Sequence, residues 1–175
     1  IDGRSILNEE FDIIEAVKKV VKIPVSIKLS PFYTNPLYVI KEMDYRGANG
    51  FVLFNRLFQP DINVQTESMH YPYNLSMEHD SRLPLRYTGL LYDNINADIC
   101  SNRGIFNGED VVKMILAGAD CVQVVSTIYK HGPQQITKML EDLEIWMANK
   151  MYNSLDEFRG NLSRKNIDDP YAYRR

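Results

Sequence analysis

Short apolar runs of strand length repeatedly change places with amphipathic segments of helical period, and this alternation constrains the chain more than any other feature. Residues 25–29, 50–55, 97–101 and 121–126 read as strands, and segments with apolar side chains three and four apart separate them. A strand that returns after a helix lies parallel to its predecessor, because the crossover carries the chain back to the starting end. The pattern predicts an α/β fold with a parallel sheet, either an open doubly wound sheet or a section of a (β/α)8 barrel. Periodicity leaves both open.

The helices carry their own punctuation. In residues 7–21, Phe11, Ile14, Val17 and Val21 share one face, with Glu9, Glu10, Glu15, Lys18 and Lys19 largely opposite, and Pro24 closes the segment. Asn35-Pro36 opens a second helix that Gly47 ends, residues 83–92 form a third, and Asn107 caps a fourth at 109–117 that Gly118 stops. Gly132-Pro133 opens a long helix with a stripe of Ile136, Met139 or Leu140, Leu143 and Trp146. Ser154-Leu155-Asp156-Glu157 reads as a capping box before one more short helix. Residues 56–80 show no sustained period and are long for a connection, as functional loops are. The folded unit is expected at 1–163, followed by a polar surface tail at 164–175.

Composition excludes several classes. The 175 residues fit one core. With a net charge of -3 and scattered Lys and Arg, the chain offers no basic field for nucleic acid. No apolar run reaches the ~18–20 residues of a membrane span. Cys100 and Cys121 lack zinc or disulfide spacing, so a reducing, cytoplasmic setting is expected. His70, His79 and His131 lack metal-site spacing, and no serine elbow or neighbouring Cys and His marks a nucleophile. No metal site is expected.

Parallel α/β folds place their chemistry at the carboxyl ends of strands. These ends hold Lys28, Asn55, residues 101–104, Ser126 and Thr127. A lysine in an apolar strand needs an acceptor or anion, or must reach water. Asn55 offers donors and acceptors to a polar heterocycle or a flavin edge, and equally suits an Asx turn. Gly104 permits close backbone approach, Ser126 and Thr127 add hydroxyls, and a helix N-terminus near Asn107 adds positive potential. Together they suit a phosphate, although turn glycines and strand-end serines are common without one.

Several stretches then carry a resemblance: residues 23–31, residues 50–56 with Gln59-Pro60-Asp61, Leu83-Pro84-Leu85-Arg86, and Ala117-Gly118-Ala119-Asp120 through His131-Gly132-Pro133. In order and content they resemble the C-terminal half of a dihydroorotate dehydrogenase-like protein, from about Asp12 to Ser163. The resemblance implies an FMN-binding (β/α)8 TIM barrel of which this chain supplies strands five to eight. It implies an oxidoreductase acting on a CH–CH bond of a small, pyrimidine-related substrate. It assigns Lys28 to the flavin N1/O2 region and Asn55 to substrate, with Arg56 beside it. Asn102, Arg103 and Gly104 fall on the family's glycine-rich phosphate loop, and Ser126 and Thr127 on its strand-eight phosphate loop.

The family's Cys or Ser base belongs to the N-terminal half, so no catalytic residue is expected in this chain and little turnover from it alone. Three departures stand out: Ser101-Asn102-Arg103 replaces the first three residues of the Gly-Thr-Gly-Gly loop, Val125 replaces a glycine, and Arg56 replaces a small hydroxyl residue. A half-barrel would leave two open sheet edges and an uncovered apolar interior. Its partner is therefore expected to be a second copy or the missing N-terminal half. The alternatives are a non-catalytic FMN- or phosphate-binding half-barrel that oligomerises, and a structural remnant with no ligand, for which the altered phosphate loop argues.

Overall fold

The computed structural model describes residues 2–71 and 75–173; Ile1, Pro72, Tyr73 and Asn74 of the long loop, and the tail residues Arg174 and Arg175, lie outside the described residues. The chain opens with α1 (Gly3–Val20), β1 (Ser26–Leu29), α2 (Pro36–Tyr45) and β2 (Gly50–Leu53). A hairpin of β3 (Asp61–Asn63) and β4 (Ser68–His70) precedes α3 (Arg82–Leu91), β5 (Asp98–Asn102) and α4 (Gly108–Ala117). Next come β6 (Cys121–Gln123), α5 (Ser126–His131) and α6 (Gln134–Asn149), and two 3-10 turns at Leu155–Glu157 and Pro170–Tyr173 follow.

The main sheet is parallel and four-stranded, ordered β1-β2-β5-β6. Strands added in sequence order, with no reversal, belong to a singly wound sheet; a doubly wound one turns back at a switch point. Alternation along each strand decides its two faces. Leu29, Phe51, Leu53 and Ile99 point to the helices and pack with Phe11 and Ile14 of α1 and Val39, Ile40 and Met43 of α2. A second cluster joins α4 and α6 through Val112, Met114, Ile115, Met139 and Leu143, closed by Phe158. Phe158 has no exposure, and its ring lies 5.0 Å from Trp146 and 5.2 Å from Tyr152.

The other face differs from the apolar interior expected of a half-barrel. Its exposed residues are Ser26, Lys28, Asp98, Cys121 and Gln123. Register aligns Lys28, Val52, Cys100 and Cys121 across the four strands. The large apolar residues were already committed to the helix side, which leaves small and polar ones here.

Local signals explain most boundaries. Asn35 accepts from the Tyr38 N–H at 3.2 Å and Asn107 from the Asp110 N–H at 2.9 Å, as expected of N-caps. The first helix starts earlier than its apolar period, because Asp2 accepts from the N–H groups of Arg4 and Ser5, both at 2.9 Å. The last strand is shorter than expected: β6 ends at Gln123, and Ser126 opens α5 instead of finishing the strand. The capping box at Ser154 gives only a 3-10 turn, since Ser154 donates to the Glu157 carboxylate at 3.4 Å rather than receiving a backbone N–H.

The stretch expected to be an irregular loop contains the hairpin. Register pairs Ile62 with Met69, so alternation puts Phe58, Ile62, Val64, Met69 and Tyr71 on one face and Asp61, Asn63, Ser68 and His70 on the other. All five apolar members are at least half exposed. Their period of two was masked by Pro60 and by the shortness of the strands. In the tail, Arg164 N–H donates to Gly89 O at 3.0 Å and the Tyr173 ring packs onto Gly89. Among the described residues, no helix is long and apolar enough to cross a membrane.

Gly118 shows how closely the helices are seated. It ends α4 at φ 118°, and a Cβ there would lie 2.6 Å from Cβ of Tyr92, whose ring also fills the space beside Gly160. Gly118→Ala combines left-handed strain with overpacking and should cost roughly 1–3 kcal/mol. Urea unfolding checks this: the midpoint falls, and an unchanged midpoint would show that Tyr92 moves aside freely.

Candidate functional site

A cavity of about 190 Å³ opens at the carboxyl ends of the main strands, lined among others by Lys28, Asn55, Arg56, Asn102, Arg103, Gly104 and Ser126. Thr127 does not join them. It is fully buried and donates its hydroxyl to the Phe106 carbonyl at 3.4 Å. The helix N-terminus at Asn107 is also elsewhere, closed by its own Asn107 and Asp110 side chains.

Lys28 extends from the open face of β1 and donates from Nζ to Gln123 Oε1 of β6 at 2.9 Å. Two strands separate β1 from β6, which in a flat sheet would hold them about 14 Å apart at ~4.8 Å per strand. The contact requires a sheet curled so that this face is concave. Because an ammonium only donates, the Gln123 atom it meets is the carbonyl oxygen. Asn102 Nδ2 donates to that same oxygen at 3.3 Å, and Asn102 Oδ1 is left buried without a partner among the described residues. Lys28 therefore fixes Asn102 as an acceptor through Gln123. Asn55 is exposed, and its backbone N–H donates to Leu29 O at 2.6 Å.

The opposite wall is cationic. Arg56 and Arg103 converge on Asp80: Arg56 Nη1 pairs with Oδ2, and Arg103 Nη2 lies 3.9 Å from Oδ1. Both Nε groups are buried without a partner among the described residues. Burial lowers the Arg103 guanidinium below its ordinary pKa, Asp80 opposes that shift and Arg56 adds to it. A guanidinium remains a cation in this setting. Arg103 has φ 71° and Gly104 φ 63°, so the arginine takes up a left-handed conformation that favours glycine.

Residues 75–81 cross this wall as a strap. Ser76 N–H donates to Ser126 Oγ at 2.7 Å, which leaves the Ser126 hydroxyl proton free to point elsewhere. A Cβ on Gly104 would sit 2.8 Å from the carbonyl oxygens of both Met77 and Glu78, so the strap rests directly on this glycine. Sequence reasoning missed Ser76, Asp80 and Gln123. Only Gln123 carried a signal, a polar residue in an apolar strand. The Cys100 thiol is pushed up to about 12, first by burial and then by hydrogen bonding and charge from Cys121, while Lys28 pulls it down.

Comparison with known proteins matches residues 7–147 to the family model described as dihydroorotate dehydrogenase. Among curated relatives, the catalytic subunit of dihydroorotate dehydrogenase B (NAD(+)) from Methanocaldococcus jannaschii is 30% identical over 136 residues, covering 76% of this chain and 44% of that protein. The same subunit from Thermoplasma volcanium is 28% identical over 152 residues, covering 85% and 50%. That from Alkaliphilus metalliredigens is 29% identical over 154 residues, covering 86% and 51%. The chain spans about half the length of the curated relatives it matches. Since the matched region contains the main sheet and every residue of the cavity wall, the chain belongs to the dihydroorotate dehydrogenase family.

Proposed function

We propose that this chain is the flavin-phosphate part of an FMN-dependent oxidoreductase acting on a CH–CH bond of a small, pyrimidine-related substrate. In this reading it corresponds to strands five to eight of a (β/α)8 barrel, which the sequential parallel order and the concave face support. The observation that carries the reading is the cavity wall: Lys28, Arg56 and Arg103 supply three cations, and among the described residues no carboxylate lines it.

The residues fit such a cofactor. Arg103 and the Ser126 hydroxyl offer donors to a phosphate, Gly104 keeps backbone close, and the unpaired Asn102 Oδ1 suits a hydroxyl donor on the attached polyol. The cavity's 190 Å³ is below the ~300–1,000 Å³ that encloses a whole drug-sized ligand, so it would enclose part of a flavin and leave the rest at its mouth. FMN held there would supply two-electron hydride acceptance. Lys28 would add positive charge toward the flavin ring and Asn55 would orient substrate, while Arg56, paired with Asp80 beside Arg103, would join the phosphate donors.

No residue here is assigned the second proton. A thiol pushed up to about 12 stays protonated at neutral pH, which removes Cys100 as a general base. The base is placed outside this half, and the chain works in the cytoplasm with a second copy or with an N-terminal half. A second reading, a phosphate-binding half-barrel that oligomerises without catalysis, draws support from the exposed apolar face of the hairpin.

Titration of the purified chain with FMN, followed by flavin fluorescence, tests the reading. Saturable binding is expected, with Lys28→Ala and Ser126→Ala each weakening it roughly tenfold, or ~1.4 kcal/mol. A folded sample that binds no FMN overturns it. Alkylation by iodoacetamide tests the proton assignment, because the thiolate is the reactive form. Cys100 should react slowly near neutral pH and accelerate as pH climbs toward its raised pKa; fast labelling of Cys100 at neutral pH would contradict its exclusion as a spent, protonated thiol.

A further inference from the structure

Arg56 and Arg103 present a charge imbalance that the fold alone does not resolve. Among the described residues, two guanidiniums with five donors each share one carboxylate, and each keeps a buried Nε unpaired. Arg103 is held there in a left-handed conformation that is unfavourable for a non-glycine residue. Its contact with Asp80, at 3.9 Å, is longer than a hydrogen bond. The carboxylate also arrives from outside, since Asp80 belongs to the strap and not to the lining of the cavity.

We infer that Asp80 is an internal stand-in for a ligand's anionic group: its carboxylate holds Arg56 and Arg103 together, and an organophosphate monoester entering the cavity takes both guanidiniums from it. The inference rests on the phosphate-binding reading above. A phosphate brings three acceptor oxygens to donors that one carboxylate leaves partly unmet, and guanidiniums bind phosphate in paired hydrogen bonds. Asp80 would otherwise lie close to a dianion, so its displacement follows from like-charge repulsion. Displacement also removes the acceptor of the Met77 N–H, which now donates to Asp80 Oδ2 at 2.9 Å. Exchange at the arginines therefore loosens the turn that rests on Gly104. Asp80 sets the threshold for ligand charge: a dianionic phosphate competes with it, and a neutral flavin lacking phosphate does not.

Calorimetric titration of the 175-residue chain and its Asp80→Asn variant, with FMN and separately with inorganic phosphate, tests the exchange. Asparagine keeps an oxygen for the Met77 N–H, so the turn is retained while the charge is removed. The variant should bind both ligands about tenfold more tightly. Unchanged or weaker binding by the variant overturns the inference, because Asp80 would then only position the arginines. FMN binding equally to both forms sinks the exchange and leaves the flavin reading standing. Phosphate binding that tightens in the variant while FMN binds neither form upholds the exchange and sinks the flavin reading. Hydrogen exchange on the unmodified chain gives a second test free of any folding defect: phosphate should speed exchange of the Met77 amide several-fold, and slower exchange there would overturn the inference.

Discussion

Everything in this molecule follows from the burial of one face of a four-stranded parallel sheet. Leu29, Phe51, Leu53 and Ile99 all turn toward the helices, where full burial of each such side chain contributes roughly 1.5–3 kcal/mol. The helices cover that face, and the opposite one is left to small and polar groups. The sheet curls toward the uncovered side far enough for Lys28 on one edge strand to reach Gln123 on the other. A concave polar surface at the carboxyl ends of parallel strands is the result, and the cavity lies on it.

The site is organised by donors in search of acceptors. Lys28 orients Gln123, Gln123 orients Asn102, and the chain of donation ends at a buried acceptor without a partner among the described residues. On the other wall, Arg56 and Arg103 meet a single carboxylate. The strap that carries this carboxylate also ties Ser76 to Ser126, so the arginine pair and the Ser126 hydroxyl are linked through one short segment. Arg56 and Arg103 are thus matched by an acidic residue on the facing strap.

Much of the fold was legible in the sequence because it rests on local rules. Asn35, Asn107 and Gly118 mark helix ends where the structure has them, and the apolar runs lie where the strands form. What failed was the extent of short elements. Nothing in Cys121 through Ser126 announces that pairing ends at Gln123, since Val124 and Val125 continue the apolar run. In the hairpin, Pro60 obscured an alternation that pairing of Ile62 with Met69 makes plain. Thr127 illustrates the same difficulty on a single side chain: once Ser126 begins a helix, its neighbour is turned into the interior.

By itself the sequence determined which residues could be buried, where helices begin and end, and that strands joined through helices must run parallel, because these depend on side-chain chemistry and on contacts a few residues apart. The candidate residues at strand ends were legible for the same reason. Only the tertiary structure decided that Lys28 reaches Gln123 across 95 positions and that Asp80, 24 positions beyond Arg56, closes on two arginines. Such contacts arise from sheet curvature and from the path of a strap over Gly104. No local pattern encodes either, since both are set by how separate elements pack.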